Sequence, residues 1–189
     1  MEKLYEILAF NKTFVENKEF ERYQTSKFPN KKIVVLTCMD TRLVELLPQA
    51  MNIKNGDIKM IKNAGAIVSH PFESAMKSIL VALYELQAEE VMVIGHYDCG
   101  MSQIDSKQMI KHMKERSISE EVINTLEHSG IPLVEWLSGF ESVEENVKHS
   151  VQVIKNHPLL PKGTPVHGLI IDPHTGRLDL IVDGYKKGD

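Results

Sequence analysis

Two short runs carry residues able to bind a metal ion together. Cys38 opens the run Cys38-Met39-Asp40-Thr41-Arg42, and Cys99 lies in Gly95-His96-Tyr97-Asp98-Cys99-Gly100. Zinc takes thiolate sulfur and imidazole nitrogen in tetrahedral sites, and a catalytic zinc keeps one position for water or substrate. Cys38, His96 and Cys99 supply three such ligands, and the His-x-x-Cys spacing lets one tight turn present two of them to a single ion. Asp40 is placed to act as a fourth ligand or as a hydrogen-bond partner of bound water. Arg42, two residues on, can pair with that carboxylate bidentately and keep it ionised. The chain has two cysteines in all. A closed structural site of four Cys/His ligands is therefore disfavoured, and an accessible fourth position is expected.

Each piece has a plain alternative, since a cysteine after a strand is usually a small buried hydrophobe. It is the convergence of the pieces that favours a metal. A phosphate-cradling loop between Cys38 and Arg42 is excluded, because only Met39, Asp40 and Thr41 intervene and the acid repels an anion. Neither Gly-x-x-x-x-Gly-Lys nor Gly-x-Gly-x-x-Gly occurs, so nucleotide binding has no support.

The elements that must position these residues follow from periodicity. Apolar runs predict strands over residues 32–37, 57–62 and 90–95. Helical spacing predicts helices over 43–51 and 72–87, and mostly helix over 101–155, broken near Ser117 and at Gly130-Ile131-Pro132. Two further strands, 165–172 and 177–183, flank the turn Pro173-His174-Thr175-Gly176. The expected fold is α/β: a mostly parallel central sheet with flanking helices and a C-terminal antiparallel hairpin. Residues 1–26 read as a polar helical arm lying over a partner subunit or over the chain's own core. In open parallel sheets ligands bind beyond the carboxyl ends of the strands. That edge gathers both cysteines, His96 and the loop Asn63-Ala64-Gly65-Ala66.

At 189 residues, 42% hydrophobic and 25% charged, the chain is expected to form one domain over 1–189. A formal charge of -4 argues against nucleic acid or an anionic membrane as partner. No apolar stretch is long enough to span a bilayer, and the first residues lack the pattern of a secretory signal. Two thiols expected to stay reduced point to the cytoplasm. Of the seven histidines besides His96, His70, in Ser69-His70-Pro71, is the candidate proton shuttle; the other six are expected at the surface or in loops. Gly65 permits either a close backbone approach to a ligand or a plain turn. Asp98 reads as a solvated loop acid, and Trp136, among Leu133, Val134 and Leu137, as core.

Taken together, Cys38-x-Asp40-x-Arg42, Asn63-Ala64-Gly65 and Gly95-His96-x-x-Cys99-Gly100 resemble the signature of the β-class carbonic anhydrases, in its compact prokaryotic form. The resemblance implies zinc on Cys38, His96 and Cys99, with Asp40 and Arg42 as a catalytic dyad. It also implies a homodimer or higher homo-oligomer, with the N-terminal helix reaching across the interface. Thr41 stands where serine or alanine is commoner, and Lys62 where arginine is frequent. The implied reaction is reversible hydration of carbon dioxide to bicarbonate and a proton, by zinc-bound hydroxide that Asp40 orients. Two alternatives stand beside it: a zinc hydrolase of carbonyl sulfide or carbon disulfide, and a non-catalytic zinc or redox-sensing protein using Cys38 and Cys99. The Asp40/Arg42 pair speaks against the latter, since a sensor has no use for it.

Overall fold

The computed structural model describes residues 2–186. In chain order it contains α1 (Lys3–Glu16), β1 (Ile33–Cys38), α2 (Leu43–Ala50), β2 (Ile58–Asn63), α3 (Ser74–Glu85) and β3 (Glu90–His96). There follow α4 (Ser106–Glu115), α5 (Glu120–His128), α6 (Leu133–Trp136), α7 (Val143–Lys155), β4 (Val166–Ile171) and β5 (Leu178–Val182). The five strands form one sheet in the order β2-β1-β3-β4-β5. The first four are parallel, and β5 returns antiparallel to β4. The expected mixed sheet with its closing hairpin is therefore present.

Alternation along the strands divides the core between two faces. Val34, Leu36, Val91 and Val93 pack with Met76 and Ile79 of α3 and with Val151 and Ile154 of α7. Val35 and Ile94 turn to the other face, where Leu43 and Leu47 of α2 cover them beside Cys38 and Cys99. Helix α7 lies close on β3 and β4 because two strand positions carry no side chain. A Cβ at Gly95 would stand 2.8 Å from Val143 Cγ2, and one at Gly168 would stand 2.7 Å from Val147 Cγ1.

Register fixes what this sheet delivers to its carboxyl edge. Thr37 of β1 pairs with Ile94 of β3, and the Thr37 hydroxyl donates to the Ile94 carbonyl at 2.9 Å inside the core. The two strands thus end side by side, one in Cys38 and the other in His96.

Three local expectations are corrected. Trp136 is 71% exposed rather than core. Helix α6 is a single turn whose one buried residue is Leu133, with Leu137 buried just past its end, while the Trp136 side chain is left to solvent. The 101–155 region has a further break between α6 and α7, where Ser142 caps α7 by accepting from the Glu145 N–H. His157, in a loop as expected, is buried there, and His167 is buried inside β4 rather than at the surface or in a loop. Their Nδ1 atoms accept the backbone N–H groups of Leu159 and Gly184, so each ring does the work of a carbonyl inside a turn. Of the helical arm expected over 1–26, α1 covers Lys3–Glu16 and a short 3-10 helix covers Glu19–Tyr23, and no residue of α1 is buried against the rest of the chain.

The close seat of α7 predicts that Gly95→Ala or Gly168→Ala lowers stability by about 1–3 kcal/mol through overpacking. Chemical denaturation should show this as a lower midpoint. Gly100→Ala, where a Cβ meets nothing within 4 Å, should leave the midpoint in place.

Candidate metal centre

Cys38 ends β1, His96 ends β3, and Cys99 follows after two loop residues. Their ligand atoms all lie within 4.8 Å of one another, and all three side chains are buried. The two sulfurs are 3.9 Å apart and are free thiols. His96 Nδ1 lies 2.9 Å from the Tyr97 carbonyl, which fixes the proton there and turns the bare Nε2 toward the thiols. That Nε2 is buried and has no hydrogen-bond partner. A buried polar atom left so is costly unless something fills its place. Two thiols and one imidazole around that orphan are the donor set zinc prefers, so the residues fit the ion.

The electrostatics prepare the group for a cation. The Cys99 S–H donates to Cys38, and this hydrogen bond, against the cost of burial, holds the Cys38 thiol well below its usual pKa. His96 and the Gly65 N–H, 3.3 Å from the Cys38 sulfur, reinforce the effect. Cys99 is pushed up in turn, because the pair shares one proton. Burial opposes a charged His96 ring, but the neighbouring Cys38 prevails and the ring's pKa is raised. A 2+ ion entering the site would replace these protons.

Asp40 stands beside the group, with its Oδ2 3.8 Å from His96 Nε2. Its carboxylate is turned to Arg42, which donates from Nε at 3.0 Å to Oδ1 and from Nη2 at 2.8 Å to Oδ2. The Arg42 backbone N–H adds a third bond to Oδ1 at 2.8 Å. The Arg42 side-chain bonds, followed by that N–H, lower the Asp40 pKa to about 2. The bidentate pair expected from the spacing is therefore formed.

The loop after β2 packs against the Cys38 sulfur. Asn63 closes it by accepting the Ile67 N–H and donating to the Ile67 carbonyl. Gly65 has φ +80°, which turns its N–H onto the Cys38 sulfur. A Cβ there would also stand 2.9 Å from Phe140 Cε1 and 3.0 Å from Met101 Cγ. Gly65 thus sits in a turn closed by Asn63 and brings its backbone N–H to the chain's own Cys38 sulfur. From α7, Asn146 Nδ2 donates to the Gly65 carbonyl at 3.0 Å, and the Ser150 hydroxyl accepts the Val68 N–H. The sequence did signal these two: Asn146 and Ser150 are polar residues four apart on the otherwise apolar inner face of a helix. His70 is exposed, and its hydrogen bond and ring contact are both with Phe72. Asp98 is paired rather than merely solvated, since its carboxylate accepts from Arg42 Nη1 at 2.9 Å.

Comparison with known proteins places this geometry. Residues 33–178 match the carbonic anhydrase family. The chain is 63% identical over 186 residues to "Putative carbonic anhydrase YtiB" of Bacillus subtilis (strain 168), covering 98% of this chain and 100% of that one. The crystal structure of β-carbonic anhydrase isoform I from Trichomonas vaginalis superposes with a TM-score of 0.87 at 33% identity, covering 98% of this chain and 100% of that one. A carbon disulfide hydrolase of Acidithiobacillus thiooxidans is 27% identical, covering 79% of this chain and 76% of that protein.

Metal analysis after dialysis should find about one zinc ion per chain in the wild type and almost none in Cys38→Ser, His96→Ala or Cys99→Ser. Asn146→Ala, acting through Gly65, should keep the ion but weaken it about tenfold in competition with a chromophoric chelator.

Proposed function

The chain belongs to the β-class carbonic anhydrase family, and we propose that it is a zinc enzyme that reversibly hydrates carbon dioxide to bicarbonate and a proton. The observation that carries this reading is the bidentate Asp40–Arg42 pair set beside three buried metal-ligand atoms. In this reading Cys38, His96 and Cys99 hold zinc, and Asp40 is the nearby carboxylate available as an alternative fourth ligand. Bound there, zinc supplies the positive charge that makes a water molecule acidic enough to yield a nucleophile near neutral pH.

The chain's own residues supply the orientation. Asp40, with its pKa near 2, is an acceptor only at any physiological pH. It can therefore take a hydrogen bond from the reacting water and aim the remaining lone pair at the carbon of the substrate. Arg42 fixes both carboxylate oxygens, so that aim is set before substrate arrives. Because the folded pKa is depressed, the pair's contribution to stability is present above the unfolded value near 3.9 and is lost as pH falls toward 2.

Helix α1 supports the homo-oligomer. Leu4, Ile7, Leu8 and Phe10 stand exposed on an arm that buries nothing of its own, and a second copy of the chain would cover them. No helix among the described residues is long and apolar enough to cross a membrane. We assign the enzyme to the cytoplasm, on its two free thiols.

A second reading has one observation in its favour, the likeness to a carbon disulfide hydrolase. It keeps the fold and the ligands and changes only the small electrophile attacked. The sensor reading keeps only the paired thiols and leaves the Asp40–Arg42 fork without a task.

Stopped-flow carbon dioxide hydration between pH 7 and 9, on protein of known zinc content, decides among these. Activity should rise with pH as the reacting water deprotonates, with no inflection from Asp40. Asp40→Asn should lower kcat/KM by about 100-fold or more. Release of hydrogen sulfide from carbon disulfide by protein inert toward carbon dioxide would select the second reading instead. Deletion of residues 2–17 should lower the solution mass measured by light scattering.

A further inference from the structure

Arg42 has a second carboxylate partner. Its Nη1 donates to Asp98 Oδ2 at 2.9 Å, and its Nη2, already on Asp40, also donates to the Asp98 carbonyl at 2.9 Å. The guanidinium therefore lies between Asp40, on the loop leaving β1, and Asp98, on the loop leaving β3. The first of these loops follows Cys38, and the second runs from His96 to Cys99. Asp98 has φ +52°, a left-handed conformation that Asp tolerates better than most residues. That turn lies between His96 and Cys99 and at the same time brings the Asp98 carbonyl to Arg42.

The need for such a partner follows from where Asp40 stands. Its Oδ2 is only 3.8 Å from His96 Nε2, so a small swing would carry the carboxylate onto the ligand group. An arginine bound to Asp40 alone could follow that swing with its fork intact. An arginine tied to a second loop cannot, and so it holds Asp40 back. Asp98 is itself 61% exposed on its side chain. Its ion pair then adds little to global stability, and its value lies in fixing a geometry.

We propose that Asp98 is a positioning residue for the reaction: it clamps Arg42 so that Asp40 stays a hydrogen-bond acceptor beside the metal site instead of closing it. This rests on the function proposed above. The direct consequence is that Asp98 acts only through Asp40.

Asp98→Asn is the informative variant, because Asn keeps the size and the left-handed preference while removing the charge that Arg42 meets. Its zinc content and unfolding midpoint should match the wild type, with kcat lower by about tenfold and KM within about twofold. In an Asp40→Asn background the same change should add less than about twofold, since Asp98 then has nothing left to hold. A second measurement is independent of turnover. In the cobalt(II)-substituted protein, thiocyanate titrated by the visible spectrum should bind more weakly to Asp98→Asn than to wild type, because the freed Asp40 competes for the open position. Asp40→Asn should abolish that difference.

Equal losses in both backgrounds, unchanged kcat in Asp98→Asn, or unchanged thiocyanate binding would each overturn the clamp. Loss of zinc from Asp98→Asn would overturn it in favour of a role in the turn alone. Wild-type protein without hydration activity would overturn the proposed function only, and the thiocyanate series would still decide the clamp.

Discussion

The parallel ladder between β1 and β3 sets Thr37 beside Ile94, and the arrangement of the site follows from that register. Both strands leave the sheet at the same level, so a thiol from one and an imidazole from the other meet beyond the carboxyl edge. A slip of one residue would turn Cys38 to the opposite face. Burial of β1 and β3 on both sides makes such a slip costly, since Val34, Val35, Leu36 and Ile94 would all leave their pockets. The core is therefore what specifies the site. Gly95 and Gly168 belong to the same device, because they seat α7 closely enough for Asn146 and Ser150 to reach the loop that holds Gly65 against Cys38.

Around that edge the chemistry is a balance of two charge sets. Inside, two thiols and an imidazole are buried together with His96 Nε2 unpartnered among them, an arrangement suited to a cation. Outside, Arg42 gathers Asp40 and Asp98 at the partly exposed rim. Asp40 belongs to both sets, held by the rim and with its Oδ2 3.8 Å from His96 Nε2. In the proposed enzyme that position would make Asp40 both an acceptor for the reacting water and a rival for the metal, and an arginine held by Asp98 would resolve the conflict.

Much of this was legible in the sequence, for identifiable reasons. Cys38, His96 and Cys99 are chemically distinctive and follow short apolar strands, so topology alone brings them together. The Asp40–Arg42 fork follows from a two-residue separation. What sequence missed depends on contacts across the fold. Asp98 looked solvated because nothing local shows that Arg42 stands opposite. Trp136 looked buried because a single helical turn is too short for periodicity to say which side faces in. His167 was expected at the surface or in a loop because its place inside β4 and its cap on the turn at Gly184 are set by tertiary placement. Asn146 and Ser150 were visible in principle, as polar residues on an inward helical stripe.

The central claim is that Cys38, His96 and Cys99 bind one zinc ion and leave a position open. X-ray absorption at the zinc edge of the reconstituted protein reads this directly. Two sulfurs at about 2.3 Å with two nitrogen or oxygen neighbours at about 2.0–2.1 Å are predicted. In the Cys99→Ser protein, any zinc still bound should show one sulfur fewer. A zinc shell without sulfur, or six light neighbours as at a surface carboxylate site, would contradict the account at its foundation.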